Sequence, residues 1–336
     1  MNYVLIVGAG TMGTVHAHSY LNMDGVQLAG IVDIRADAAK QLGQQTGTRV
    51  FPTMEEAMEA LPEIDVIDIC LPTYLHLEFV KKAAQFVKNV ICEKPLARSI
   101  DEAKEMIEFC KEKGIKLFVG HVVRFFPEYV KAKQIIEDGG IGRPGVIRTS
   151  RGGGFPAGWE NWYESREKSG GLVLDLLIHD FDYLRWCFGE VERVYARGIK
   201  GREKLDYTLV TLKFKNGVIA HLEGTWAHQG FSSSFEFAGE KGIVDYDSKK
   251  AVPVHLVRHV DSSIQTAGVT VPESPLKENP YFQELQHFIH CMNSGQDPIV
   301  TCDDGLKALE IALAAQEAMD TNKPVFLKSV KEELTK

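Results

Sequence analysis

No two of the six cysteines, at positions 70, 92, 110, 187, 291 and 302, have C-x-x-C spacing. Scattered thiols fit a reducing compartment better than a disulfide framework or a zinc site. The eleven histidines are equally dispersed, and there is no HExxH run. His16 and His18 are too close to share a helix face, so no metal is expected. Basic blocks are also missing, and with a formal net charge of -8 this argues against a nucleic-acid partner. The amino terminus, MNYVLIVGAG, lacks a basic region and a cleavage site and is too short to span a bilayer. It reads as a strand, and the expected location is cytoplasmic, away from any membrane. What is present is ordinary for a soluble globular protein: 336 residues, 44% hydrophobic and 25% charged, enough chain for two domains.

Tyr3 to Val7 is a continuous apolar run, the pattern of a strand covered on both faces. It leads straight into Gly8-Ala9-Gly10-Thr11-Met12-Gly13 and a helical stretch to about Met23. Between a strand and a helix each glycine has a task. Gly8 permits the tight turn, Gly10 lets the backbone approach a pyrophosphate, and Gly13 lets helix and strand pack closely. The free N–H groups at the start of the helix then receive the anion. A second strand, Val26 to Val32, ends at Asp33, placed to accept from both hydroxyls of an adenosine ribose and to repel a 2′-phosphate. NAD is therefore favoured over NADP. Arg35 pulls the other way, since a guanidinium there could pair with a phosphate or stack on adenine.

Helices over Arg35–Thr46, Met54–Leu61, from after Thr73 through Val87, and over Asp101–Lys113 then alternate with strands over Asp65–Leu71, Val90–Cys92 and Lys116–Val119. The alternation specifies βαβ units and a parallel sheet, with ligands beyond the strands' carboxyl ends. Three segments leave those ends: Gly8–Gly13, Pro72–His76 after Leu71, and Glu93-Lys94-Pro95. Lys94 could be a solvated lysine or, beside a nicotinamide, could hold a substrate oxygen and stabilise an alkoxide. His76 could bind, cap or pack.

Arg124-Phe125-Phe126-Pro127 opens a helix to Asp138, and Gly139-Gly140 and Gly142 break it at the transition to a second domain. Val146–Ser150 reads as a strand, and Arg151–Gly158 after it is glycine-rich. Trp159–Tyr163 is loop-like, with rings placed to line a pocket or to pack on the surface. After Gly189 the period changes to that of strands: Glu190–Gly198, Tyr207–Phe214, Val218–Trp226, Ser232–Ala238 and Gly242–Tyr246. Short turns such as Lys215-Asn216-Gly217 make the sheet mostly antiparallel. Both alternating sets of Tyr207–Phe214 are largely apolar, which suggests a face that pairs with another subunit. Val252–Val260 is a further possible strand and Ser262–Lys277 an irregular excursion. Helices over 281–292 and 303–321 close the chain.

Ser169 to Gly189 starts at a glycine pair, ends at a glycine and contains no proline, so it reads as one helix. Val173, Leu177, Phe181, Leu184 and Phe188 share one face; Asp175, His179, Asp182 and Trp186 share another. Asp175 and His179 are one turn apart, within reach of a carboxylate–imidazole hydrogen bond. A salt-bridged surface is the plain reading. Against it, an acid inside LVLDLLI needs a buried partner.

With these residues in hand, the chain resembles the glucose–fructose oxidoreductase, inositol dehydrogenase and rhizopine-catabolism (Gfo/Idh/MocA) family over nearly its whole length. Glu93-Lys94-Pro95 matches the family's Glu-Lys-Pro, whose lysine binds substrate. Asp175 and His179 match the acid and histidine of its Gly-Gly-x-x-x-Asp-x-x-x-His helix. Pro72-Thr73-Tyr74-Leu75-His76 resembles a TP-x-x-x-H element with its first two residues reversed. Arg124, Phe125 and Pro127 match Arg-Phe-x-Pro, and Trp159 and Trp162 match Trp-x-x-Trp. The resemblance implies a Rossmann dinucleotide-binding domain, 1–120, and a substrate-binding and oligomerisation domain, 121–336, with an open, mostly antiparallel sheet carrying helices on one face. The closing helices could pack back on the first domain.

The implied activity is reversible oxidation of a secondary alcohol of a sugar, inositol or related polyol, with NAD as cofactor and a homodimer or homotetramer as the assembly. Lys94, Asp175 and His179 would be catalytic. Gly8, Gly10, Thr11, Met12, Gly13, Asp33, Arg35, Leu71, Pro72, Thr73, His76, Glu93 and Lys94 would line the cofactor, and Arg124, Trp162, Tyr163 and His179 the substrate. The alternatives are a silent dinucleotide-binding regulator and an NADP-dependent sugar reductase.

Overall fold

Asn2–Val7 (β1) is fully buried from Val4 onward, so water meets neither face and it becomes a central strand. The computed structural model describes residues 1–61, 63–199, 206–250 and 279–327. They divide into two units, the first comprising Met1–Phe125, Glu167–Ser169 and 279–309. From β1 the first unit runs through α1 (Thr11–Leu21), β2 (Val26–Val32), α2 (Ala36–Thr46), β3 (Val50–Phe51), α3 (Met54–Ala60) and β4 (Val66–Ile69). It continues with α4 (His76–Ala83), β5 (Asn89–Glu93), α5 (Ile100–Lys113) and β6 (Lys116–Gly120). The strands pair in parallel in the order β3-β2-β1-β4-β5-β6, a doubly wound sheet whose order reverses between β1 and β4.

The helix after Leu71 is shorter than predicted. A 3₁₀ turn over Thr73–Leu75 feeds α4, which ends at Ala83. Beyond it Gln85 N–H donates to Lys82 O and Phe86 N–H to Ala83 O, tighter turns that wind the chain down before Val87.

A late helix completes this unit. In α9 (Pro280–Ser294) the Asn279 side chain accepts from the Tyr281 and Phe282 N–H groups, Pro280 fills the first turn, and Gly295 closes the helix in the left-handed region. Leu285, Phe288, Ile289 and Cys291 join the core of Val4, Ile6, Tyr20 and Phe118, with the rings of Phe118 and Phe288 5.2 Å apart. Full burial of one such phenyl ring contributes about 1.5–3 kcal/mol.

The second unit comprises Phe126–Arg166, 170–199, 206–250 and 310–327. It contains α6 (Pro127–Glu137), β7 (Pro144–Gly154), α8 (Ile178–Phe188), β8 (Val191–Ile199) and β9 (Tyr207–Phe214). It also holds β10 (Ile219–Thr225), β11 (Ala227–Gly239), β12 (Ile243–Asp247) and β13 (Val325–Phe326); α7 (Arg166–Ser169) precedes α8, and α10 (Cys302–Thr321) precedes β13. The sheet order is β12-β11-β7-β10-β9-β8-β13, antiparallel except for β7 with β10. One face carries α8: Phe188 stands 6.2 Å from Phe214 and 5.4 Å from Phe237, ring centre to ring centre.

Three expectations need correction here. Arg151–Gly154 is strand, because β7 pairs with β10 on one edge and β11 on the other and both ladders use its backbone groups. The Trp159–Tyr163 stretch is not loop but a 3₁₀ turn, Trp159–Glu164, kinked at Glu160 and Asn161, where φ is 50° and 51°. And Ser169–Gly189 is not one helix. Gly170 and Gly171, both at positive φ, separate α7 from a helix that opens with a π turn over Val173–Leu177 before becoming α8. The proposed strand Val252–Val260 and the excursion Ser262–Lys277 lie outside the described residues.

Candidate active site

In the first unit, four segments leave the carboxyl ends of four neighbouring strands, β2, β1, β4 and β5. The glycine turn after β1 behaves as its spacing predicts. Gly8 has φ +111°, and a Cβ there would lie 2.4 Å from Cys70 O. A Cβ on Gly13 would lie 1.8 Å from Gly8 O, so helix and turn touch backbone to backbone. Gly10, by contrast, faces open space, with only the Arg35 guanidinium at 4.0 Å. The first turn of α1, with Thr11 and Met12, carries no acidic residue and no side-chain cap. An open cradle at a positive helix end fits a pyrophosphate.

Asp33, after β2, is buried and accepts four N–H bonds. Burial raises its carboxyl, but hydrogen bonds from Arg35 and Ala9 outweigh this and hold it below the ordinary carboxylate range. After β4 come Leu71 and Pro72, partly exposed, then Thr73, which is buried. His76 is not turned to a ligand as expected. It is wholly buried, with Nδ1 2.8 Å from Pro95 O and Nε2 2.9 Å from Leu71 O, so it straps the β4 and β5 loops together. Burial lowers its pKa, and the neutral ring donates to one of the two carbonyls.

After β5, Lys94 precedes a cis peptide bond to Pro95, and its own backbone N–H donates to Glu93 Oε2 at 3.1 Å. Glu93 was expected to line the cofactor, yet it is buried and turned inward, with Oε1 3.2 Å from His16 Nε2. His16 Nδ1 lies 2.8 Å from Asp68 Oδ2, an oxygen that also accepts from Tyr20 Oη at 2.8 Å. Cys70 Sγ completes the group, 3.3 Å from His16 Nδ1. Among the described residues, His16, Asp68 and Cys70 alone converge with metal-ligand chemistry. Burial pushes the Cys70 thiol up to about 12, so it is no thiolate near neutrality and the set reads as a hydrogen-bonded cluster. Sequence reasoning missed it because its members come from α1, β4 and β5. The one local signal was His16 and Tyr20 four apart on the helix after the glycines.

Arg124 was expected on the substrate side. Its guanidinium is buried and gives Nη1 to Ile299 O at 2.7 Å, while Nη2 pairs with Asp304 Oδ1 at 3.3 Å. Those are the contacts of a structural ion pair within the first unit.

The second unit holds the other candidates. Asp175 is buried on the π turn, and His179 is half-buried one turn later in α8, with its Nδ1 out of solvent. A π turn has about 4.4 residues per turn against about 3.6, and an i, i+4 pair remains on one side of the helix in either geometry. Next to His179, Asp180 forms a fully buried pair with Arg151 of β7, Nε to Oδ2 2.6 Å, which fixes α8 on the sheet. Trp162 and Tyr163 are buried, their ring centres 3.9 Å apart and their planes tilted by 33°.

The family described as "Oxidoreductase family, NAD-binding Rossmann fold" matches residues 3–121, and its "C-terminal alpha/beta domain" matches residues 133–327. The chain belongs to this Gfo/Idh/MocA oxidoreductase family. Two characterised family members are similar from end to end. The myo-inositol 2-dehydrogenase of Thermotoga maritima is 31% identical over 97% of this chain and 98% of its own. The scyllo-inositol 2-dehydrogenase (NAD(+)) of Bacillus subtilis is 30% identical over 96% and 95%. A scyllo-inositol dehydrogenase from Lactobacillus casei, solved with bound NAD(H) and scyllo-inositol, superposes with a TM-score of 0.81 at 25% identity, over 97% of this chain and 99% of that one. As a family member the protein is an NAD-binding oxidoreductase, with the dinucleotide fold in its first unit. Among the described residues no helix is long and apolar enough to cross a membrane.

Proposed function

We propose that the protein is an NAD-dependent dehydrogenase that interconverts a secondary alcohol of a sugar, inositol or related polyol with its ketone. The observation that carries this reading is the row of loops in the first unit. The open glycine cradle, the Asp33 carboxylate and Lys94 follow β1, β2 and β5 at the same edge of one parallel sheet, and Lys94 is held by buried groups on either side. The likeness to two inositol dehydrogenases over nearly the full length supports the substrate class.

Oxidation removes a hydride from the carbinol carbon and a proton from its hydroxyl. Bound NAD⁺ supplies the hydride acceptor. The backbone N–H groups of α1 receive the pyrophosphate, and Asp33 accepts from the adenosine ribose. Lys94 donates to the reacting oxygen and steadies the negative charge that develops there. His179 accepts the hydroxyl proton, and Asp175 orients its ring. Trp162 and Tyr163 are proposed to shape the substrate side. His76 and Arg124 support the architecture instead. The domain division proposed is 1–120 for the dinucleotide and 121–336 for substrate and assembly, with α9 serving the first.

A homo-oligomer built on the open sheet face is part of this reading. The outward positions of that face include Leu209, 50% exposed, and Ile219, 40% exposed, set among charged neighbours.

The test is turnover with NAD across a panel of inositols, aldoses, ketoses and sugar acids, with NADP alongside. NADH formation with at least one polyol is expected, and it should vanish in Lys94→Ala. A folded protein that binds NAD and turns over no member of the panel would leave the regulator reading standing.

A further inference from the structure

We propose that His16 is a positioning residue for the reaction: its ring bridges the buried carboxylates of Asp68 and Glu93 and so fixes the Glu93–Pro95 turn that presents Lys94. The inference rests on the role given above to Lys94.

Asp68 has no access to water and Glu93 almost none, and a buried carboxylate costs several kcal/mol unless a cation and hydrogen bonds compensate. Asp68 and Glu93 lie on adjacent strands, and His16 enters between them from α1, 2.8 Å from one and 3.2 Å from the other. The second contact is within ion-pair reach but off the line of a well-formed hydrogen bond. Both ring nitrogens face carboxylate oxygens, Nδ1 through a hydrogen bond and Nε2 at ion-pair distance, an arrangement that favours the imidazolium over either neutral tautomer, whose bare nitrogen lone pair would face a carboxylate. Burial opposes that charge, but Cys70 and Asp68 outweigh it and hold the ring's pKa well above its ordinary value. Since the Cys70 thiol is itself pushed up to about 12, it carries no charge near neutrality and meets the ring there as a hydrogen-bond partner. The other groups packed here are Tyr20, whose hydroxyl donates to Asp68, the Tyr281 ring of α9, 6.5 Å from the imidazole, and Glu284 of α9, a buried carboxyl within electrostatic reach of Tyr20 that would add to the negative field favouring the cation.

Glu93 has little freedom to turn away. Gly120 backs onto it so closely that a Cβ there would sit 3.2 Å from Oε1, while Oε2 accepts the Lys94 N–H. On the far side of the lysine, His76 holds Pro95 O. The Lys94 backbone is thus clamped between two buried histidines, and His16 is the one that also belongs to the cofactor helix. A misplacement of about 1 Å can cost on the order of 10²-fold in rate, so the clamp should be visible in kcat.

His16→Gln removes the charge and one of the two contacts. In folded variant protein, kcat is expected to fall by roughly 10- to 100-fold, with the NAD Kd and the polyol KM within about threefold of wild type. A loss that is purely structural would instead lower all binding in step with the folded fraction. Gly120→Ala is the second variant: it keeps every charge, presses on Glu93, and should lower kcat with the same split. The ¹⁵N spectrum of the wild-type histidines should show one ring still an imidazolium at about pH 8, above the ordinary histidine range. Wild-type kcat in folded His16→Gln, or in Gly120→Ala where the former does not fold, would overturn the inference. So would a spectrum in which every ring is neutral at that pH. Lys94→Ala separates the two levels: retained turnover there would sink the role of Lys94 and this inference with it. An inactive Lys94→Ala beside a fully active His16→Gln would sink this inference alone.

Discussion

Asp33 and Arg35 satisfy each other: the guanidinium Nε donates to Oδ1 at 2.9 Å and Nη2 to Oδ2 at 2.6 Å. The backbone N–H groups of Arg35 and Ala9 take the other two positions, one on each oxygen. An ionised carboxylate has about four acceptor sites, and all are in use. A ribose can be accepted only after the guanidinium swings away, and the two backbone donors would keep the carboxylate in place. The guanidinium, 31% exposed, returns to water as the ribose hydroxyls take its place on the carboxylate, so the net cost of the exchange is on the order of 1 kcal/mol.

Arg35→Ala should therefore leave NAD affinity unchanged or improve it by up to about fivefold, the equivalent of such a pair. Asp33→Ser should weaken NAD and strengthen NADP, since Arg35 is then free for a 2′-phosphate. Titration of both dinucleotides against the three proteins checks this. A tenfold loss of NAD affinity in Arg35→Ala would show that the guanidinium contacts the cofactor directly.

The Arg124–Asp304 pair predicts an acid-dependent stability. Burial raises the Asp304 carboxyl, but Arg124 and Thr301 outweigh it and bring it down to about 2. A depressed folded-state pKa stabilises above the unfolded value, and the contribution is lost as pH falls through the folded one. Asp304→Asn should cost on the order of 1–3 kcal/mol at neutral pH. In urea unfolding, that difference should shrink between about pH 4 and pH 2 as both proteins come to carry an uncharged side chain. A penalty independent of pH would assign it to packing.

The open sheet predicts its own disruption. Leu209→Lys together with Ile219→Lys places two charges on outward positions without touching the buried set Thr208, Val210, Leu212 and Phe214. Sedimentation at micromolar concentration should show an assembly for wild type and a lighter species for the double variant, with unchanged secondary structure. A wild-type monomer would remove the proposed interface.

What the sequence revealed was whatever one element determines by itself. The glycine loop was legible because each glycine answers to a local constraint, and a hydrophobic run such as Val4–Val7 already implies a covered strand. The π turn at Val173–Leu177 was not, since the same apolar residues face the core whether the turn is α or π. The strand read from Val146 stopped at Ser150 because the glycines after it carry no strand pattern, and only the strands on both sides reveal Arg151–Gly154 as part of the sheet. The pairing of Arg124 was not legible because its partner, Asp304, lies far along the chain. The resemblance to the family supplied the names of the functional residues, whereas the clamp around Lys94 required coordinates.

The last prediction separates catalysis by His179 from mere packing. His179 sits in the second unit, while the glycine loop and Asp33 belong to the first. His179→Ala should accordingly leave NAD affinity within about threefold of wild type. Turnover of a responsive polyol should fall by about 10²- to 10⁴-fold, the usual contribution of a positioned proton acceptor. Asp175 is 8% exposed, and Asp175→Asn keeps its volume while exchanging a carboxylate for an amide, so the fold should survive and the rate should drop. If the two residues act as one unit, the double variant loses much less than the product of the single losses. Steady-state rates and NAD affinities for the four proteins, normalised to folded fraction, decide the matter. Near-wild-type turnover in folded His179→Ala would return the pair to the status of a salt-bridged helix face, and multiplicative losses would deny that Asp175 works through the ring.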